Sequence, residues 1–96
     1  MVSGCEVLAK AIRFTEESII VDLDDGRCLS VPIDWYPRLL HGTTQERKVL
    51  ELTGGGRGIH WPELDEDIRV EGLIAGRRSA ESDVSLSRWM QRRKSP

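Results

Sequence analysis

Ninety-six residues suit one compact domain with a single modest core and leave no room for two. Apolar residues make up 39% and charged residues 31%, a globular balance that excludes a disordered chain. A formal net charge of -2 supplies no overall field toward nucleic acid or an anionic membrane.

Residues 6–14 alternate imperfectly and are read as a strand because a hairpin pattern lies directly downstream. Residues 18–23 (SIIVDL) are β-branched and apolar, Asp24-Asp25-Gly26 makes a turn, and 27–33 (RCLSVPI) alternates again. A two-residue loop at Asp25-Gly26 would set Leu23 opposite Cys28 and Val21 opposite Ser30, mixing apolar with polar on one face. A three-residue loop sets Val21 opposite Leu29 and Ile19 opposite Val31, and places glycine at the left-handed position such loops require. The three-residue loop is therefore expected. A further turn at Thr15-Glu16-Glu17 makes the first third a meander, whose face of Ile19, Val21, Leu23, Leu29 and Val31 needs cover.

The cover must come from downstream. Asp34 is placed to cap a short helix through Leu40, with Trp35, Leu39 and Leu40 turned inward and Pro37 tolerated in the first turn. Thr43 and Glu46 form a capping box, opening a helix over 44–52 that carries Val49, Leu50 and Leu52. A third short helix is expected from about Asp67 to Ala75, closed by Gly76, with Ile68, Leu73 and Ile74 facing the core. From Ser79 on, Leu86, Trp89, Met90 and Arg93 recur at helical spacing, with Ser82 or Ser85 as the cap. The expected fold is α+β: an antiparallel three-stranded meander packed against two or three short helices, with a C-terminal amphipathic helix and a short extended segment at 58–61. The expected organisation is one domain over 1–76 and a tail over 77–96. Residues 1–76 hold 8 basic and 14 acidic side chains, whereas 77–96 hold 6 and 2, so an acidic body carries a basic tail.

Cys5 and Cys28 form no CxxC pair and read as reduced thiols. No basic segment leading into an apolar stretch opens the chain, and no apolar run approaches the roughly 20 residues that span a bilayer. A cytoplasmic location without membrane association is expected.

The segment 53–68, TGGGRGIHWPELDEDI, is dense in special geometry and polar chemistry. Three patterns carry a resemblance: Pro-x-x-Trp-x-Pro-Arg-Leu-Leu at 32–40, the helix with Glu46-Arg47 over 44–52, and Gly-Arg-Gly-Ile-His-Trp-Pro-x-Leu-Asp-Glu-Asp-Ile at 56–68. Together they make the chain, over residues 5–76, resemble domain of unknown function family 2442. The resemblance implies a small bacterial α+β protein with no established activity. It also implies a gene beside that of another small family, an arrangement suggestive of toxin–antitoxin pairs. Longer members resemble fusions to a helix-turn-helix domain, for which the 20 residues after Gly76 are too few.

The same segment fits no chemical motif well. The glycines at 54, 55, 56 and 58 lack the lysine of a phosphate loop and miss the dinucleotide spacing. An anion nest helped by Arg57 competes with a plain turn needing positive φ, and the turn is preferred. His60, Glu63, Asp65 and Asp67 match neither His-Glu-x-x-His nor a calcium loop, since Arg69 and Val70 stand where the loop wants Asp or Asn and then Gly. The preferred reading has Asp67 capping a helix, Asp65 closing an Asx-turn, and Glu63 and Glu66 solvated. No Gly-x-Ser-x-Gly is present, and neither cysteine has a neighbouring histidine. Catalysis has little to stand on, and no cofactor or metal is expected.

The expected function is a non-catalytic interaction module, antitoxin-like or regulatory, that binds a small partner protein or a second copy of itself. Its candidate ligand or partner surface is Arg57, His60, Trp61, Asp65 and Asp67, and its candidate partner-binding tail is Arg88, Trp89, Arg92 and Arg93. For the tail, docking on its own domain ranks ahead of a protein partner, and nucleic acid comes third. The alternative is a metal- or anion-binding domain or enzyme using Arg57, His60, Asp65 and Asp67.

Overall fold

Two small antiparallel sheets, bridged by short helices, build the fold, which is α+β. The computed structural model describes residues 7–94, so Cys5 and the start of the strand placed at 6–14 lie outside the described residues. The first sheet is the meander β1 (Ala9–Phe14), β2 (Ser18–Leu23) and β3 (Cys28–Pro32), in that order. Its second hairpin has the three-residue loop: Val21 faces Leu29, Ile19 faces Val31, and Gly26 adopts φ 96°. Hydrophobic pairing thus decided the register, because a one-residue slip would have turned Ile19 and Val21 out of the core. Both are fully buried.

A 3-10 turn over Ile33–Trp35 leads into α1 (Pro37–His41), with Pro37 in the first turn. Asp34 caps nothing and lies inside the 3-10 turn. Leu39 is buried, while Leu40 is exposed and Trp35 is half-buried beneath Arg78. The capping box of α2 (Thr44–Lys48) is present, with the Glu46 N–H donating to Thr43 Oγ1 and the Thr43 N–H to Glu46 Oε1.

Two helices expected from the sequence are shorter than expected, and for one reason. The helix over 44–52 stops at Lys48, and Glu51–Thr53 becomes strand β4. The helix expected from Asp67 begins only at Val70, as α3 (Val70–Ile74), and Glu66–Arg69 becomes strand β6. Both stretches flank β5 (Gly58–Trp61), and pairing with it makes the second sheet, ordered β4-β5-β6. Positive φ at Gly54, Gly55 and Gly56 folds β4 back onto β5, and Asp65 at φ 52° folds β6 back from the other side. The gain in inter-strand hydrogen bonds and in burial of Ile59, Trp61 and Ile68 outweighs the weak helical spacing of Val49, Leu50 and Leu52. Asp67 therefore caps no helix. Of the α3 residues expected inside, Leu73 is buried and Ile74 is exposed.

The core joins Ile19, Val21 and Val31 of the first sheet to Ile59, Trp61 and Ile68 of the second, with Leu39, Leu64, Leu73 and Trp89 around them. A tight bond ties the sheets at one end: the Ala9 N–H donates to the Gly56 carbonyl at 2.8 Å. The chain after α3 is held by Tyr36 Oη, which donates to the Arg77 carbonyl at 2.8 Å, and by the Ser79 N–H, which donates to the Trp35 carbonyl at 3.0 Å. It then enters α4 (Asp83–Lys94), whose first turn is capped by Ser82 Oγ accepting from the Ser85 N–H. Among the described residues no helix is long and apolar enough to cross a membrane.

Candidate functional site

The central motif segment turns out to be braced on itself. His60 of β5 and Asp67 of β6 are register partners, and His60 Nδ1 lies 2.8 Å from Asp67 Oδ1. Trp61, placed among the candidate surface residues, has no exposed surface; its ring fills the core, and its indole N–H donates to the Arg47 carbonyl at 3.0 Å. That is a correction, and its cause is the pleat, which turns Trp61 inward on the strand where His60 faces outward. Asp65 sits at the tip of the turn after β5, its carbonyl accepting from Arg38 Nη1 at 2.7 Å. Arg57 lies in the glycine turn, where its carbonyl accepts from the Val70 N–H and its Nη1 is 3.4 Å from the Gly54 carbonyl. The structure therefore joins His60 to Asp67 and holds Asp65 on Arg38. Among the described residues no three His, Cys, Asp or Glu side chains are grouped to hold a metal ion. The Cys28 thiol donates to Asp22 Oδ1 at 2.9 Å, and that bond raises its pKa, the opposite of what activates a nucleophile.

The tail lies on its own domain. Trp89 is buried, with the guanidinium groups of Arg38 and Arg93 over its ring at 5.3 and 4.7 Å. Trp89 is thereby drawn into the fold with Arg93 held against its ring, and Arg88 and Arg92 are exposed. Arg38 is the fastening point: its Nε and Nη2 grip the Glu81 carboxylate at 2.7 and 2.6 Å, just ahead of α4.

Glu66, expected to be solvated, is instead half-buried and lines, with Tyr36 and Arg38, a cleft of about 480 Å³. Burial is the main cause that lifts its carboxyl to about 7, and Oε2 has no hydrogen-bond partner among the described residues. Its position at the start of an unexpected strand hid it from sequence reasoning.

A larger cleft, of about 840 Å³, opens beside β1 and was not foreseen. Ile12, Phe14 and Leu50 supply its apolar lining, and Arg13, Glu16, Arg47 and Lys48 its charged lining. The backbone there is as informative as the side chains. The Thr15 N–H donates to the Ser18 carbonyl at 2.9 Å, so the residues of β1 that bond β2 are Thr15, Arg13 and Ala11. Ile12 and Phe14, opposite Val21 and Ile19, turn their N–H and C=O groups away from β2. Among the described residues no strand of the first sheet lies on that side. An irregularity between Ala9 and Ala11 reverses the alternation, which lets Ala9 face outward and meet Gly56. The edge is thus closed at Ala9 and open from Ile12 to Phe14. Alternation of Ile12 and Phe14 with charged or small residues signalled a strand in the sequence, though not that it would be an edge.

A family model described as protein of unknown function (DUF2442) matches residues 9–79. A crystal structure of a protein of unknown function from Rhodospirillum rubrum is similar, with a TM-score of 0.70 and 29% identity over 79% of this chain and 94% of that one. A solution structure of an uncharacterised protein from Chromobacterium violaceum shares the fold, with a TM-score of 0.66 and 22% identity over 91% of this chain and 76% of that one. No curated protein matches the chain.

Proposed function

We propose that this chain, which belongs to the DUF2442 family, is a non-catalytic interaction module, antitoxin-like or regulatory, that binds a small partner protein. The observation that carries the reading is the cleft beside β1, where an apolar lining, a cationic rim and backbone groups unpaired among the described residues share one surface. Protein partners use such combinations, because backbone groups at a sheet edge supply affinity and flanking apolar side chains supply fit. The motif segment supports the reading from the opposite direction, since its histidine, tryptophan and aspartates are engaged in holding strands and turns.

The test is co-expression of the tagged chain with the product of its adjacent gene, followed by affinity capture and sizing. A stoichiometric complex that is lost in Lys48→Glu, a change at the cleft rim, is the expected result. If the chain elutes alone, and co-expression leaves the neighbour's activity unchanged, the reading is wrong.

A further inference from the structure

We infer that the element received by the β1 cleft is an extended segment of a different protein, alternating apolar and acidic residues, added as a fourth strand beside β1. This rests on the interaction reading above and deepens it by naming the partner's chemistry.

The first argument is hydrogen bonding. Ile12 and Phe14 present two donors and two acceptors along one line, and no backbone bond among the described residues engages them. Such a row is a template for another strand. A helix offers no free backbone groups along its flank to meet it.

The second argument is the pleat. Ile12 and Phe14 lie on the same face as Val21 and Ile19, and Phe14 packs edge-on against Trp61 with ring centroids 6.3 Å apart. Both are only partly buried, as is Leu50 nearby. An added strand would set every second side chain on this face, where the neighbours are apolar. Its intervening side chains would fall on the opposite face beside Arg13, whose side chain is paired with Asp22 at 2.8 Å yet 60% exposed. That alternation calls for apolar residues on one face and acids on the other.

The third argument is charge. Arg13, Arg47 and Lys48 line the cleft against one lining carboxylate, Glu16, and with Arg13 paired to Asp22 the surplus rests on Arg47 and Lys48, although the body is acidic overall. Arg47 caps the end of α1 through the Leu39 and Leu40 carbonyls, and no carboxylate among the described residues pairs with it. A second copy of β1 is a poor occupant, because it would bring Lys10 and Arg13 against the cations Arg47 and Lys48.

The test uses the isotopically labelled full-length protein and three blocked peptides: alternating valine and glutamate, alternating valine and lysine, and the first N-methylated at alternate residues. The valine–glutamate peptide is expected to shift the amide signals of Ile12 and Phe14 and to bind roughly tenfold more tightly than the lysine peptide, as opposite against like cross-strand charges require. The N-methylated peptide should not bind. Ile12→Pro, which removes an outward N–H and spares the bonds to β2, should abolish binding while thermal unfolding shows the fold retained. Lys48→Glu should narrow the preference between the two charged peptides. Shifts that miss Ile12 and Phe14, equal affinity for both charges, no binding, or self-association through β1 would each overturn the inference. A capture experiment that still yields a complex would then leave the interaction reading standing without the strand.

Discussion

Arg93 of the C-terminal helix and Glu46 of the α2 capping box are joined by two parallel N–H to oxygen bonds, of 2.8 and 2.7 Å. The same carboxylate accepts the Thr43 N–H at 2.8 Å, so one side chain both starts α2 and fastens α4. Since α2 lines the β1 cleft through Thr44, Arg47 and Lys48, the tail is coupled to the cleft without touching it.

Glu46→Ala should therefore cost about 1–2 kcal/mol, and Arg93→Ala about 0.5–1 kcal/mol, with the double variant costing less than the two together. Urea unfolding measures all three. The Arg93 bond holds the Glu46 carboxyl at about 2, below its ordinary 4.5. Linkage sets the sign: this contribution is complete above about pH 4.5 and fades as the pH falls toward 2, and Glu46→Gln should remove that fading.

Glu66 titrates in the opposite sense. Its carboxyl, ordinarily at 4.5, is lifted to about 7 by burial, so the folded chain holds a proton there that the unfolded chain has already released. Stability should decline as the pH climbs from about 4.5 to about 7 and level off above it. Glu66→Gln should flatten this part of the profile and gain on the natural chain at pH 8, measured as thermal midpoints across buffers. A profile unchanged by the substitution contradicts this account.

Trp89→Ala should release α4. The ring is 4% exposed and stacked by two arginines, so truncation should cost about 3 kcal/mol, while Trp89→Phe keeps an aromatic face and should cost about 1 kcal/mol. Hydrogen exchange along 83–93 should accelerate in the alanine variant and leave β2 unchanged.

Gly56→Ala tests the tie between the sheets. A Cβ there would lie 2.6 Å from the Ala9 carbonyl oxygen at φ 111°, and neither backbone can yield without breaking the Ala9–Gly56 bond. It should cost well over 1 kcal/mol, whereas Gly55→Ala, with open space at φ 71°, should cost only about 1 kcal/mol for its left-handed backbone. Equal losses in thermal unfolding would show that the close approach is unimportant.

Local chemistry was enough for the features that depend on a few adjacent residues. The pairing of Ile19 with Val31, the glycine in its loop and the Thr43–Glu46 box were all legible, because each arises from side-chain alternation or from one short-range hydrogen bond. Leu86, Trp89 and Met90 likewise announced a helix with one apolar face. The family resemblance was legible for the same reason, being carried by contiguous residues.

Tertiary structure alone decided whether Glu51–Thr53 and Glu66–Arg69 would be helix or strand, since their partners lie in β5 and the choice depends on bonds across two turns. It also decided that Trp61 faces inward, that Glu66 loses its water, and that Arg93 reaches Glu46 from 47 residues away. The open stretch of β1 belongs to this second class: a strand is an edge only by virtue of what fails to pair with it, and no local sequence encodes the absence of a neighbour.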